Sequence, residues 1–158
     1  MLLRSSISCT GVLLVTVWII CSHIYYHVYR YILRFMNDPM TWLQAKDFCE
    51  VLENSRLVEI DSEEENSAIS AEMHKIGSPD SWLGLTDRRN EGQFVLESTK
   101  QSPSFTKWCC GNQPDDGGGR GEDCAIIKAI PWNDWNDMDC HLSRHHWGPL
   151  SAICEIQS

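Results

Sequence analysis

QPDDGGGRGEDC, residues Gln113 to Cys124, sets an amide and four carboxylates on backbone rich in glycine. Glycine leaves such a stretch little intrinsic preference for one shape. The acids make matters worse, because two unit charges 4 Å apart cost about 1 kcal/mol even in water and more near a protein surface. A solvated acidic turn is one answer to that repulsion, and a hard divalent cation among the oxygens is another. Calcium takes roughly 6–8 oxygens from carboxylates, amides and backbone carbonyls in relaxed geometry, whereas magnesium demands a stricter octahedron and keeps more water. Two further acidic segments, TDRRNEG at Thr86–Gly92 and WNDWNDMDC at Trp132–Cys140, tip the balance toward an ion. The spacing of an EF-hand loop is absent.

The totals bound the rest. A chain of 158 residues is long enough for one domain with a proper core. With 42% hydrophobic and 22% charged residues and seven tryptophans, the composition is globular. Its formal net charge of -9 argues against nucleic acid, whose phosphates need a basic footprint, and is compatible with a cation or a neutral partner. Eight cysteines without a C-x-x-C pair read as a disulfide framework in an oxidising compartment. The N-terminus agrees: one arginine precedes an apolar run from Gly11 to Cys21. Residues 1–22 read as a secretory signal peptide, and because the apolar character continues to about Tyr29, an uncleaved signal anchor is the alternative. Either leader places the bulk of the chain outside the cell.

After the leader, RYILRF reads as a first strand. Thr41 and Gln44 form a capping box that opens a helix over about Trp42 to Glu53, with Leu43, Phe48 and Leu52 on its buried side. RLVEI leads into a strand ending at Asp61. Ser62 and Glu65 form a second capping box, Ile69, Met73 and Ile76 fall at helical spacing, and Gly77 followed by Pro79 ends that helix. SWLGL, QFVL, AIIKAI and SAICEI read as strands. Thr99–Asp123 and Pro131–Pro149 show little periodicity, and loops this long in a compact domain are usually functional.

With these segments in order, the chain resembles the C-type lectin-like domain family from residue 30 to 156. The resemblance rests on WLGL at Trp82–Leu85, TDRRNEGQF at Thr86–Phe94, QPD at Gln113–Asp115, GEDC at Gly121–Cys124, WNDMDC at Trp135–Cys140 and AICE at Ala152–Glu155. It implies an α+β double-loop fold, with two helices, small antiparallel sheets and a long calcium-binding loop. It implies disulfides Cys49–Cys154 and Cys124–Cys140. By motif, a sugar-binding Ca2+ is expected on Gln113, Asp115, Glu122, Asn136 and Asp137, the last through side chain and carbonyl. An auxiliary Ca2+ is expected on Asp87, Glu91, Asp116 and Asp123, with the Glu122 carbonyl. Of the two WND triplets, Trp135-Asn136-Asp137 is chosen because the family places WND two residues before its cysteine. The implied function is calcium-dependent binding of galactose- or N-acetylgalactosamine-type glycans in extracellular recognition, such as innate defence or adhesion, without catalysis. The QPD order goes with such sugars in the family.

One departure from the family concerns the residue after QPD, where galactose-type members often carry a tryptophan and this chain has Asp116 and GGGRG. Trp132, His145 and His146 are the rings available to take that place. Trp132 and Trp135 are otherwise expected in the core. Cys109 and Cys110 lie outside the implied pairing and either join each other or link two chains into a homodimer. His141, His145 and His146 lack the partners of a zinc site and read as solvated loop residues. No G-x-S-x-G elbow or Ser/His/Asp order supports a hydrolase. The rival reading is a structural or interaction protein on the same fold, binding a protein or mineral surface without sugar.

Overall fold

The computed structural model describes residues 18–20, 23–28, 31–129, 131–146 and 148–157. Most of the leader stretch, including Cys9 and Cys21, lies outside the described residues. Within that stretch, β1 (Trp18–Ile20) and β2 (His23–Val28) pair antiparallel, and β2 pairs onto β3 (Tyr31–Phe35). Among the described residues no helix is long and apolar enough to cross a membrane.

Helix α1 (Trp42–Val51) begins at the predicted capping box: the Gln44 amide N–H donates to Thr41 Oγ1, and the Thr41 N–H donates to Gln44 Oε1. Its buried stripe differs from the expectation. Trp42, Ala45 and Cys49 face the core, Phe48 and Leu52 are half-buried, and Leu43 is 51% exposed. The reason is tertiary, because the Cys49–Cys154 disulfide and the Trp42 indole, whose Nε1–H donates to the Leu83 carbonyl, set the rotation of the helix. Strand β4 (Ser55–Leu57) follows, shorter than predicted, and Val58 continues the contact by donating its N–H to the Ile153 carbonyl.

Helix α2 (Glu63–Ile76) starts at Ser62, whose hydroxyl accepts from the Glu65 N–H, and ends at Gly77 with φ 67. The second half of the predicted box is replaced: the Glu65 carboxylate accepts from the Asp61 N–H instead. Three glutamates in the first turn complement the helix dipole. Then come β5 (Ser81–Thr86), β6 (Val95–Leu96), β7 (Cys124–Ile127), β8 (Trp135–Met138), β9 (Arg144–His145), β10 (Gly148–Pro149) and β11 (Ser151–Gln157).

Among the described residues nine strands form one sheet in the order β1-β2-β3-β11-β5-β7-β8, with β4 also on β11 and β6 on β5. The pairing is antiparallel except between β11 and β5. Every residue of β5 is buried, so both faces of the sheet are covered. Alternation along the strands sorts the core in two. Leu83, Leu85, Ala125, Ile127 and Ile153 pack with Ile69 and Met73 of α2. Trp82, Cys124, Ile126, Ala152 and Cys154 pack with Trp42, Ala45 and Cys49 of α1. This is the α+β fold with two helices that the motifs implied.

Strand β8 and the β9–β10 hairpin lie in the stretch where no periodicity was legible. The long segment from residue 99 to 123 has no strand and forms one short helical turn at Asp116–Gly118. Both implied disulfides are present, and Cys109 and Cys110 are joined to each other.

Candidate metal and ligand centre

Two carboxylate clusters form where β5 ends, β7 begins and β8 runs alongside. Asp115, Glu122 and Asp137 bring ligand-type oxygens within 4.8 Å of one another, as do Asp87, Glu91 and Asp123. Asp137 comes from β8, where it pairs with Ala125 of β7, and Glu122 and Asp123 come from the turn just before β7. Asp87 follows the last residue of β5, so the sheet itself fixes these acids. The Thr86 hydroxyl donates to the Asp123 carbonyl at 2.6 Å, tying the two strand ends together.

The remaining predicted residues take distinct places. Asp116 lies outside the 4.8 Å group of Asp87, Glu91 and Asp123, yet its charge helps raise Glu91, and it braces the loop: its Oδ1 accepts from the N–H groups of Gly121 and Glu122, and its own N–H donates to Asp137 Oδ2 at 2.6 Å. Asn136 is half-buried, with its Nδ2–H donating to the Asp137 carbonyl at 2.7 Å. Gln113 precedes Pro114 through a cis peptide bond, and its Oε1 is buried. Asp137 stands in the first cluster and Asp134 does not; the Asp134 carbonyl instead accepts from the Lys128 N–H in the β7–β8 connection.

The electrostatics are those of crowded, partly buried carboxylates. Burial, then the Asp137, Asp115 and Asp116 carboxylates, push the Glu122 carboxyl up to about 7, against the opposing pull of Arg120. Burial likewise raises Asp87, Asp137 and Glu91 above the ordinary carboxylate range. Asp87 Oδ1, Gln113 Oε1 and Asp137 Oδ1 are buried and accept no hydrogen bond. Buried acceptors without donors are uncommon and costly. Gly117, at φ 51, lies against Glu122, and a Cβ there would come within 2.7 Å of the carboxylate carbon. These oxygens fit a divalent cation in donor type, and a calcium ion tolerates their irregular arrangement.

Of the rings proposed from the sequence to stand beside QPD, Trp132 and His145 line a pocket together, and the His146 ring meets that of His145 edge to face at 5.9 Å. Trp132 is 58% exposed, contrary to a core role, and with Pro79, Asp80, Lys128, Ala129 and His145 it lines a separate pocket of about 440 Å³. None of that pocket's described lining residues belongs to either carboxylate cluster. His145 is not solvated: its side chain is buried and its Nε2 lies 3.0 Å from Asp80 Oδ2. Trp135 is in the core, as expected.

Two supports escaped the sequence reading. Asn66 of α2 is fully buried; its Oδ1 accepts from Trp135 Nε1–H at 2.8 Å and its Nδ2–H donates to the Asn133 carbonyl. Thr86 had no assigned role. An asparagine among the apolar positions of α2 was the only available signal for the first, and the Thr-Asp doublet at a strand end for the second.

A family model described as the lectin C-type domain matches residues 38–155. The chain belongs to the C-type lectin domain family. Among curated C-type lectin relatives, it is 33% identical over 140 residues to the mouse low affinity immunoglobulin epsilon Fc receptor, covering 88% of this chain and 40% of that protein. It is 35% identical over 125 residues to human C-type lectin domain family 10 member A, covering 77% and 35%. The chain thus spans well under half the length of those two relatives. Echinoidin of Heliocidaris crassispina is 32% identical over 137 residues, covering 78% of this chain and 87% of that one. Among solved structures, the mouse scavenger receptor C-type lectin carbohydrate-recognition domain superposes with a TM-score of 0.70 at 28% identity, covering 84% and 93%. The C-type lectin fold family is a carbohydrate-binding, non-enzymatic one, and this chain is a C-type lectin domain with carbohydrate-binding homologues.

Proposed function

We propose that this chain binds galactose- or N-acetylgalactosamine-type glycans through calcium, in extracellular recognition. The observation that carries the reading is the set of three buried oxygens without donors, on Asp87, Gln113 and Asp137, within or beside two clusters of carboxylates. Gln113, Asp115, Glu122, Asn136 and Asp137 would hold the ligand-binding ion; Asp87, Glu91, Asp116 and Asp123, with the Glu122 carbonyl, would hold a second, and Asp116 also shapes the loop between them. When bound, calcium supplies positive charge and open coordination positions for two vicinal sugar hydroxyls.

The chain's own groups then do the selecting. Carboxylates accept hydrogen bonds from sugar hydroxyls, and amide N–H groups donate to the hydroxyl oxygens. The order of amide and acid, Gln113 before Asp115, therefore favours one hydroxyl arrangement over its epimer, and in resembling sequences this order goes with galactose. Three disulfides within the described residues fit an oxidising compartment, with the domain either secreted or held at the cell surface by its leader.

Calorimetry with added Ca2+, followed by a glycan array with calcium and with chelator, tests the reading. Heat at sub-millimolar to millimolar calcium and galactose-type binding lost in chelator are expected. No heat at millimolar calcium overturns the metal site, and partner binding retained in chelator without sugar competition favours the interaction-protein reading.

A further inference from the structure

Cys109 and Cys110 form a disulfide between adjacent residues at the base of the loop that carries Gln113 and Asp115. The two halves of this pair sit differently. Cys109 is buried, and its N–H donates to the Trp135 carbonyl at 2.9 Å, while the Trp135 N–H donates to the Lys107 carbonyl at 2.8 Å. This short bridge lies one residue before Asn136 and Asp137, and the Trp108 and Trp135 rings meet edge to face at 5.9 Å. Cys110 is exposed, at φ 65, and Gly111 follows at φ 72. The chain then closes on itself, the Gln113 N–H donating to the Cys109 carbonyl at 3.3 Å. One turn therefore runs from the anchored cysteine to the buried, partnerless Gln113 Oε1.

A left-handed backbone conformation is costly for any residue with a Cβ. A ring closed between neighbouring side chains confines the peptide that joins them and holds Cys110 in that region. With the ring open, Cys110 is free to return to negative φ, and every later residue of the turn moves with it.

We propose that the Cys109–Cys110 disulfide is the positioning element of the Gln113–Asp115 arm, so that a dithiol reductant weakens calcium binding without unfolding the domain. The inference rests on the calcium reading above. In the reaction, the S–S bond accepts two electrons and two protons from the dithiol, leaving thiols on both cysteines and a cyclic disulfide on the reductant. Access selects this pair: Cys110 is exposed, whereas Cys49, Cys124 and Cys154 are fully buried and Cys140 is 6% exposed.

The test compares oxidised protein with protein treated with dithiothreitol until alkylation of an aliquot marks Cys109 and Cys110 but none of Cys49, Cys124, Cys140 and Cys154. Calcium affinity by calorimetry is expected to fall on the order of tenfold, the scale of ordering one or two extra backbone residues on binding. In the metal-free protein, amide hydrogen exchange across residues 110–115 is expected to accelerate while β5 and β7 are unchanged. The Cys109→Ala/Cys110→Gly variant, which tolerates the left-handed conformation without a ring, should match the reduced protein. Equal calcium affinity or unchanged exchange overturns the inference alone. Loss of the near-ultraviolet circular dichroism signal on reduction also overturns it, because the ring would then be holding the fold. Absence of calcium heat in the oxidised protein overturns the site reading and this inference with it.

Discussion

Asp137 is 1% exposed, and only one of its carboxylate oxygens accepts a hydrogen bond, from the Asp116 N–H. Leaving a buried acceptor unpaired costs about 1–3 kcal/mol, a cost that an ion bound there offsets. Asp137→Ala is expected to abolish sugar binding and the calcium heat of its own cluster, leaving that of the Asp87, Glu91 and Asp123 cluster, while far-ultraviolet circular dichroism stays unchanged; wild-type sugar binding in that variant would remove Asp137 from the ligand set. Glu122 gives the same argument a pH axis. Its folded-state pKa of about 7 lies above the ordinary 4.5, so between those values the folded, metal-free domain binds more protons than the unfolded chain. Stability therefore falls as pH rises through that window. The metal-free melting midpoint is expected to be higher at pH 5 than at pH 7.5, with Glu122→Gln flattening the slope. Burial pushes Glu155, paired with Arg56 away from this site, up to about 7 as well, so part of the slope survives that variant. Calcium, which needs the ionised acids, should release protons on binding near pH 6 and reverse the trend; calorimetry in buffers of different ionisation enthalpy reads that release.

At the scale of elements, capping chemistry made both helices legible, because Thr41, Ser62 and Gly77 act on backbone within a few residues of themselves. The face each helix buries was less legible. Leu43 and Trp42 are neighbours, and only the pull of Leu83 and Cys154 decides which of them turns inward. Strand β8 was invisible because its Trp-Asn-Asp-Met sequence mixes core residues, Trp135 and Met138, with polar ones, Asn136 and the cluster carboxylate of Asp137. In β5, Gly84 is required by a neighbour: a Cβ there would lie 2.9 Å from the Leu57 carbonyl oxygen and 2.8 Å from Glu59 Cγ. Gly84→Ala is expected to cost about 1–3 kcal/mol in urea denaturation, since the backbone of β4 cannot step aside. Asn66→Ala leaves the buried Trp135 indole N–H without its acceptor, and a similar loss of about 1–3 kcal/mol is expected, with a shifted tryptophan emission.

Across the whole molecule, the Cys49–Cys154 disulfide ties α1 to β11 over 105 residues, and Cys124–Cys140 closes 16 beside the carboxylate clusters. Chain-entropy arithmetic makes the first worth roughly 4.7 kcal/mol and the second roughly 3. Cys49→Ala/Cys154→Ala should therefore lower the denaturation midpoint more than Cys124→Ala/Cys140→Ala, whereas the latter should disturb calcium binding more. The residue types of the site, the helix ends and the family were determined by the sequence alone, because oxygen donors, caps and spaced motifs are local properties of the chain. Tertiary structure alone decided that Asp116 reaches Asp137, that Trp132 and His145 line another pocket, and that Asn66 holds Trp135. Those outcomes depend on which backbone segments the sheet brings side by side, and residues far apart in sequence carry no mark of that meeting.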